Sequence, residues 1–511
     1  MPQNDKVLLK ITNLKQYFPV GNKGVYLKAN DGISLNIYEG ETLGLVGESG
    51  CGKSTFGRTL LQLYRQTDGR TMYYGASLDE LAPKYVKKTV TDLTKLKHKM
   101  KEYQAEYEKA QKEYDSASED KKLHLHTELM AKKKTAEDAY LNIVNIIGGF
   151  IVADDLSPVE KIYTERYAAC EKYHKDIEKA KAAKLDYDEK DYVVSKKGND
   201  ATAKEKTKRS SLRAKSDTLA KAVEADKAAI AKIDERIEAL RDNYRSNSEF
   251  AQHEANRDEG IDLARLSYNE VRLIRDQLQY IFQDPYSSLN PRMTVGTLIG
   301  EGLMAHKYCK GNNERMQDMV IKVMEECGLA GYFVNRFAHQ FSGGQRQRIG
   351  IARSLAVNPK FVVCDEAVSA LDVSIQSQIL NLLSDLKEQK NLTYLFITHD
   401  LSVVKYISDR IGVMYLGNLV ELASSEDIFA APAHPYTKAL LESIPTTDDK
   451  KELVVLEGDI PSPVNPPKGC KFHTRCKYCT EICEHVVPDW EEVSPNHFVA
   501  CHHKLTGPVN E

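Results

Sequence analysis

Two rhythms of apolar and polar residues alternate along this chain. In the first, short apolar runs stand between turn residues. Leu43-Gly44-Leu45-Val46 is one such run and reads as a buried strand. Thr71-Met72-Tyr73-Tyr74-Gly75 reads as a further strand, and Tyr280-Ile281-Phe282-Gln283 as a strand end. A helical stretch is expected from about Gly296 to Gly328, and beyond Ser342 strands and helices alternate. That alternation predicts an α/β core.

The second rhythm fills the stretch from about Ala76 to about Gly260, which is rich in Lys, Glu, Asp and Ala. Leu93, Leu96, Met100, Tyr103, Tyr107, Ala110 and Tyr114 recur at alternating spacings of three and four. Leu219, Val223, Asp226, Ile230, Ile233, Ile237, Leu240 and Tyr244 do the same, with Asp226 as the polar member. This is the coiled-coil repeat. Two such arms predict an antiparallel hairpin, and an arm of about 30 residues reaches roughly 45 Å at 1.5 Å per residue. The apolar, glycine-broken stretch Leu141–Val152 is expected to form the turn at the far end, packing on itself or on a partner. The predicted organisation is residues 1–75 and 261–423 as two parts of one α/β domain. Residues 76–260 are a helical insertion, and 424–511 a C-terminal region with proline turns and a cysteine cluster.

Composition narrows the class. The 511 residues are 28% charged with a formal net charge of −3, so charge alone does not point to nucleic acid. No run of 18 apolar residues occurs, so no helix is expected to span a membrane. The N-terminal Met-Pro-Gln-Asn-Asp-Lys lacks the apolar segment of a signal peptide, and the protein is expected in the cytoplasm. Of ten cysteines, five fall between Cys470 and Cys501. In a reducing compartment such a cluster more often binds metal than forms disulfides.

Gly47-Glu48-Ser49-Gly50-Cys51-Gly52-Lys53-Ser54-Thr55 follows the first apolar strand directly. Glycines let backbone N–H groups point at phosphate oxygens, and the helix N-terminus adds favourable potential. Lys53 is expected to reach the β- and γ-phosphates and Ser54 to bind Mg²⁺. Phe361-Val362-Val363-Cys364-Asp365-Glu366 ends a second apolar run in two carboxylates. The aspartate suits a water-bridged Mg²⁺, and the glutamate suits a general base on the attacking water. His399 ends another apolar run, Tyr394-Leu395-Phe396-Ile397-Thr398, where a γ-phosphate sensor belongs.

With Phe341-Ser342-Gly343-Gly344-Gln345 between them, these motifs resemble the ATP-binding subunits of oligopeptide/dipeptide ABC importers, closest to the OppF/DppF branch. The resemblance covers roughly residues 7–75 and 261–505 and leaves out the insertion. It implies an ABC-type P-loop ATPase domain with a small Cys-rich C-terminal region; with the insertion read above, the expected fold is α/β with an inserted α-helical coiled-coil hairpin. It also implies roles. Gly47–Thr55 matches the Walker A loop, Gln283 the Q-loop and Ser342–Gln345 the signature. Asp365 and Glu366 match the Walker B pair, Asp372 the D-loop and His399 the H-loop. ATP would be held by these groups, with Mg²⁺ at Ser54, Gln283 and Asp365. Phe18 aligns best as the aromatic stacking on adenine, with Tyr17 and Tyr26 as competitors. His434-Pro435-Tyr436-Thr437 matches a turn typical of the branch. Cys470, Cys476, Cys483 and Cys501 match its C-x5-C-x6-C-x17-C spacing, which implies a [4Fe–4S] cluster or Zn²⁺. Departures are Phe341 for the usual Leu of the signature and Ala367 for the branch's Pro.

The implied partners are a second ABC ATPase subunit, two membrane permease subunits and an extracellular substrate-binding protein. The chain would be peripheral to the cytoplasmic face of the membrane and bind no nucleic acid. Nickel and other small-solute importers use closely similar ATPases. Coiled-coil ATPases of the Rad50/SMC type are the rival from another class. In those the coil follows the Q-loop, whereas here it precedes Gln283. The insertion itself reads either as a solvated charged hairpin or as a docking arm whose contact is Leu141–Val152.

Overall fold

The computed structural model describes residues 6–21, 24–443 and 458–505. They fall into two compact units. One comprises the residues up to Gly75, Asp262–Ala264 and those from Val271 onward; the other comprises Ala76–Ile261 and Arg265–Glu270.

The first unit is built on two sheets. Its strands are β1 (Val7–Pro19), β2 (Tyr26–Tyr38), β3 (Thr42–Val46), β4 (Asp68–Tyr73), β5 (Ile261–Asp262), β6 (Leu278–Ile281), β7 (Phe361–Asp365), β8 (Thr393–Ile397), β9 (Arg410–Tyr415), β10 (Asn418–Ser424), β11 (Glu491–Ser494) and β12 (His497–Val499). A four-stranded sheet has the order β2-β1-β4-β5. An eight-stranded sheet has the order β11-β12-β10-β9-β3-β8-β7-β6. In the larger sheet β9, β3, β8, β7 and β6 are parallel neighbours. Every residue of β3, β7 and β8 is buried. That is why these strands are continuous apolar runs rather than alternating ones.

Helices cover the core. Ile299, Val320, Ile349, Val362 and Phe396 are fully buried in one cluster. The helix expected from about Gly296 to Gly328 is two helices, Val295–Ala305 and Glu314–Glu326. The break has a local cause: Gly311 sits at φ +75°, and Asn313 caps the second helix by accepting the Met316 N–H at 2.9 Å. The C-terminal region is anchored through Glu421 on β10. Its fully buried carboxylate accepts the N–H groups of Ala433 and His434 at 2.6 and 2.9 Å and faces His497 Nε2 at 2.7 Å.

The second unit is helical. Four long helices span Leu93–Ser116, Glu119–Ile147, Ser157–Lys197 and Ala203–Asp242. The first packs along the second and the third along the fourth. The two apolar seams seen in the sequence therefore run along other helices, and they meet in the core around Leu93, Ile230 and Ile237. Both seams carry the same period, and periodicity names a face without naming its partner. Turns at 117–118 and 198–202 end the two pairs, the latter fixed by Thr202 and Glu205 in a capping box.

The apolar stretch Leu141–Val152 is not a far-end turn. Ile143, Val144, Ile147 and Phe150 are buried in one core with Val90, Leu93, Ile230 and Ile237. Phe150 lies edge-on to Tyr163 and Tyr244, and the Arg241 guanidinium stacks 4.7 Å from its centroid. Arg241 is itself buried, donating to Tyr163 Oη at 2.8 Å and paired with Glu254. The stretch is the hydrophobic base of the unit, so it is not available as an exposed docking contact. Among the described residues no helix is long and apolar enough to cross a membrane.

Candidate functional site

The motif residues gather where adjacent parallel strands end. The loop Gly47–Gly52 follows β3, Gln283 lies just past β6, Asp365 ends β7 and His399 lies just past β8. Those strands are neighbours in the order β3-β8-β7-β6. Their carboxyl ends therefore form one rim, the usual ligand position on an open parallel sheet.

The loop after β3 takes its shape from backbone that only glycine tolerates. Gly47 has φ +149°, and a Cβ there would stand 2.2 Å from the Met414 carbonyl oxygen. Gly52 has φ +102°, and a Cβ would stand 2.1 Å from the Ala29 carbonyl oxygen. The helix Lys53–Leu60 starts at the loop's end. Lys53 is buried, and its ammonium donates to the carbonyls of Gly47 and Glu48 at 2.7 and 3.0 Å. Ser49 and Gly50 lie on the loop, and Thr55 lies in the helix's first turn. Cys51 is buried, and burial pushes its thiol pKa up, which keeps it inert.

Ser54 Oγ donates to Asp365 Oδ1 at 2.7 Å. Asp365 is fully buried, and its other oxygen accepts from Tyr280 Oη at 2.5 Å, with Arg58 at 3.7 Å. Burial, then the charge of Asp365, pushes the Tyr280 phenol far above its ordinary range, so it stays a donor. A hydroxyl and a carboxylate oxygen side by side are the hard donors Mg²⁺ prefers, so these residues fit that ion. Glu366 adopts φ +45° directly after the strand, a conformation that costs a non-glycine residue about 1–3 kcal/mol and that concentrates at functional sites. The turn aims its carboxylate at two partners: Gln283 Nε2 donates to Oε2 at 2.6 Å, and His399 Nδ1 lies 3.2 Å from Oε1. Gln283, Glu366 and His399 thus form one hydrogen-bonded set beside the Ser54–Asp365 pair.

Other expected site residues stand on separate elements. Ser342 is the N-cap of the helix Gly343–Leu355 and exchanges two hydrogen bonds with Gln345; Gly343 and Gly344 form the helix's first turn. Asp372 caps the helix Val373–Lys390, accepting from Ile375 N–H at 2.9 Å. Of the aromatic candidates, Phe18 packs edge-on to Tyr64 at 5.3 Å, the Tyr17 hydroxyl is bonded to Asp31, and Tyr26 is half exposed.

The cysteines share one neighbourhood. Burial pushes Cys501 up to about 12, and the charges of Cys470, Cys476 and Cys483 add to it. Burial likewise raises Cys470 to about 11. Yet among the described residues no three His, Cys, Asp or Glu side chains are placed to hold a metal ion. The implied four-thiolate centre is therefore not assembled in this arrangement. Cys501 Sγ accepts from His503 N–H at 3.3 Å, and Cys483 Sγ lies 3.8 Å from Thr480 Oγ1.

Sequence reasoning did not single out Tyr280, Arg58, Tyr436 or Arg475. Tyr280 lay in a strand already recognised, at an inward position beside the strand that ends in Asp365. Tyr436 and Arg475 lay inside quoted motifs, but their contact with the phosphate loop is a matter of tertiary structure. A cavity of the helical unit, about 410 Å³, is lined by Arg166, Asp79 and Asp234 among others, none of them a motif residue.

Comparison with known proteins agrees with the geometry. A family described as "ABC transporter" matches residues 30–145 and 247–369, and "Oligopeptide/dipeptide transporter, C-terminal region" matches 420–483. The chain is 50% identical over 250 residues to the oligopeptide transport ATP-binding protein AppF of Bacillus subtilis, covering 48% of this chain and 75% of that one. It is 48% identical over 249 residues to OppF of Haemophilus influenzae, covering 47% and 74%. Among solved structures, a dimeric ATP-binding cassette, MJ0796 with ADP and Pi, aligns with TM-score 0.43 at 16% identity, covering 82% of this chain and 99% of that one. Such identity over three quarters of its relatives' length shows that the chain belongs to the ABC transporter ATPases, in the family of oligopeptide transport ATP-binding proteins.

Proposed function

We propose that this chain binds and hydrolyses MgATP to energise import of oligopeptides or dipeptides at the cytoplasmic face of a membrane. One observation carries the chemistry: Glu366, locked in a left-handed turn, faces His399 and Gln283 beside the Ser54–Asp365 pair. Gly47–Thr55 would cradle the phosphates, with Lys53 turning from its two carbonyls to phosphate oxygens. Ser54, Asp365 and Gln283 would hold Mg²⁺, which neutralises charge on the phosphates. Glu366 acts as general base on water, and His399 orients it and senses the γ-phosphate. Phe18 is the proposed adenine platform.

Ser342–Gln345 and Asp372 stand apart from the loop on their own helices, which supports a composite site. They would serve the nucleotide of a second, head-to-tail ATPase subunit. Closure of that pair would drive two permease subunits supplied by a substrate-binding protein. The insertion leaves the chain after β4 and returns before β6, ahead of Gln283, which favours this reading over a Rad50/SMC-type ATPase. Its four helices are read as two antiparallel coiled-coil pairs.

The test is Glu366→Gln in the assembled transporter: MgATP should still bind while turnover at that site is lost. Full ATPase activity would refute the base. An iron–sulfur or zinc centre at Cys470, Cys476, Cys483 and Cys501 is supported by their shared neighbourhood. Protein purified anaerobically without iron or zinc, and indifferent to Cys483→Ser, would remove that centre from the proposal.

A further inference from the structure

The phosphate-binding loop is gripped from outside the nucleotide motifs. Arg475 lies in the segment between Cys470 and Cys476, and its side chain is 3% exposed. Its Nη1 and Nη2 donate to the two carboxylate oxygens of Glu48 at 2.7 and 3.0 Å, a bidentate fork. The Glu48 N–H donates to Tyr436 Oη at 2.9 Å, and the Glu48 carbonyl accepts the Lys53 ammonium at 3.0 Å. One loop residue is thus fixed at its amide, its carbonyl and its side chain, and the carbonyl is a rest point of the lysine that meets phosphate.

The backing is rigid. Tyr415, Tyr436 and Phe472 pack as three mutually contacting rings with centroids 4.8–5.2 Å apart, and Arg475 leans on Tyr415. A second strut comes from the same segment. Lys471 Nζ binds Asp31 at 3.0 Å and the Leu416 carbonyl at 3.2 Å. Gly417 then donates its N–H to the Cys51 carbonyl in the loop at 3.0 Å, and its own carbonyl accepts from Asp31 N–H at 2.8 Å.

We infer that Arg475 is a positioning residue for nucleotide, holding the Gly47–Glu48 backbone in its phosphate-ready shape through Glu48. Two effects follow from removing it. The loop loses its side-chain anchor, and a carboxylate without its cation is left beside a triphosphate-binding loop, where it repels the ligand. Both weaken nucleotide binding more than they slow the chemistry, because Arg475 touches none of Glu366, His399 or Gln283.

The test is equilibrium MgATP binding by the full chain, with KM and kcat measured in parallel. Arg475→Met should weaken binding about tenfold and raise KM alike, with kcat within about threefold. Arg475→Lys keeps the charge but loses the fork, and should weaken binding about threefold. The double variant Glu48→Gln with Arg475→Met removes the stranded charge but not the lost anchor, and should bind about threefold more tightly than Arg475→Met while staying weaker than the parent. Parent-like binding by both single variants overturns the inference. So does a double variant as weak as Arg475→Met, which would make the effect lost packing and not a grip on Glu48. If Arg475→Met does not fold, Arg475→Lys decides alone, and parent-like binding by it overturns the inference. The inference rests on nucleotide binding at Gly47–Thr55; a parent chain that binds no MgATP would refute that reading separately.

Discussion

Asp226 offers a signed test of how the helical unit is paired. It is 6% exposed in the seam that also holds Ile230 and Ile233, and one of its carboxylate oxygens has no hydrogen-bond partner among the described residues. Its cation, Lys172 on the third long helix, is 67% exposed and also lies 4.0 Å from Asp176. Replacing Asp226 by Leu relieves an unsatisfied buried oxygen, worth about 1–3 kcal/mol. It forfeits a water-screened pair worth about 0.2–1 kcal/mol. It adds leucine burial of about 1.5–3 kcal/mol, from which imperfect packing subtracts roughly 1–3 kcal/mol. The net expectation is stabilisation by about 2 kcal/mol, or roughly 30-fold slower exchange of the most protected amides. Lys172→Met should act oppositely, since it strands the carboxylate, and speed exchange. Native-state hydrogen exchange of the full chain, read at amides of Ser157–Lys197 and Ala203–Asp242, is the assay. Faster exchange in Asp226→Leu, or no change in Lys172→Met, would refute the packing of these two helices on each other.

Tyr280→Phe keeps the ring but removes the donor to buried Asp365; a loss of about 1–2 kcal/mol is expected, and an unchanged thermal midpoint would show that the hydroxyl does not hold the carboxylate. Gly52→Ala forces a Cβ against the Ala29 carbonyl at positive φ, so about 3 kcal/mol of destabilisation and loss of MgATP binding are expected, read by thermal shift with and without nucleotide. His434 is fully buried, and burial lowers its pKa to about 4 from an ordinary 6.5. The unfolded chain then binds more protons between those values, so stability should fall as pH drops from 6.5 towards 4 and stay level above 6.5. The effect is roughly 3 kcal/mol at most. His434→Asn, which can still cap the helix Pro435–Glu442, should flatten that dependence in thermal unfolding across pH.

The residues of the rim were readable because buried parallel strands have to be apolar and because phosphate loops have to be glycine-rich. β3, β7 and β8 therefore announced themselves, and the polar groups just past them stood out. What stayed hidden was of another kind. The left-handed turn at Glu366 is invisible in an amino-acid string, since nothing about glutamate signals positive φ. The Glu48–Arg475 fork joins positions more than 400 residues apart. In the helical unit, the heptad spacing identified Leu93–Tyr114 and Leu219–Tyr244 as apolar faces but could not say which helix each would meet. Leu141–Val152 reads equally as a turn or as a core, and only its packing against Phe250, Tyr163 and Tyr244 decides.

The strand order of the large sheet also bears on how the protein is made. β3 is fully buried and central, yet its two neighbours lie about 350 and 370 residues further along the chain. At roughly 5–20 residues per second, a ribosome needs about 18–70 s to supply them. The sheet of β1, β2 and β4 closes early, and the helical unit, drawn from Ala76–Ile261 and Arg265–Glu270, is complete in sequence well before β8 and β9 appear. β3 meanwhile has both edges unpaired, the state in which apolar strands find wrong partners. The phosphate loop therefore leaves the ribosome long before the strands that flank β3 and complete its setting.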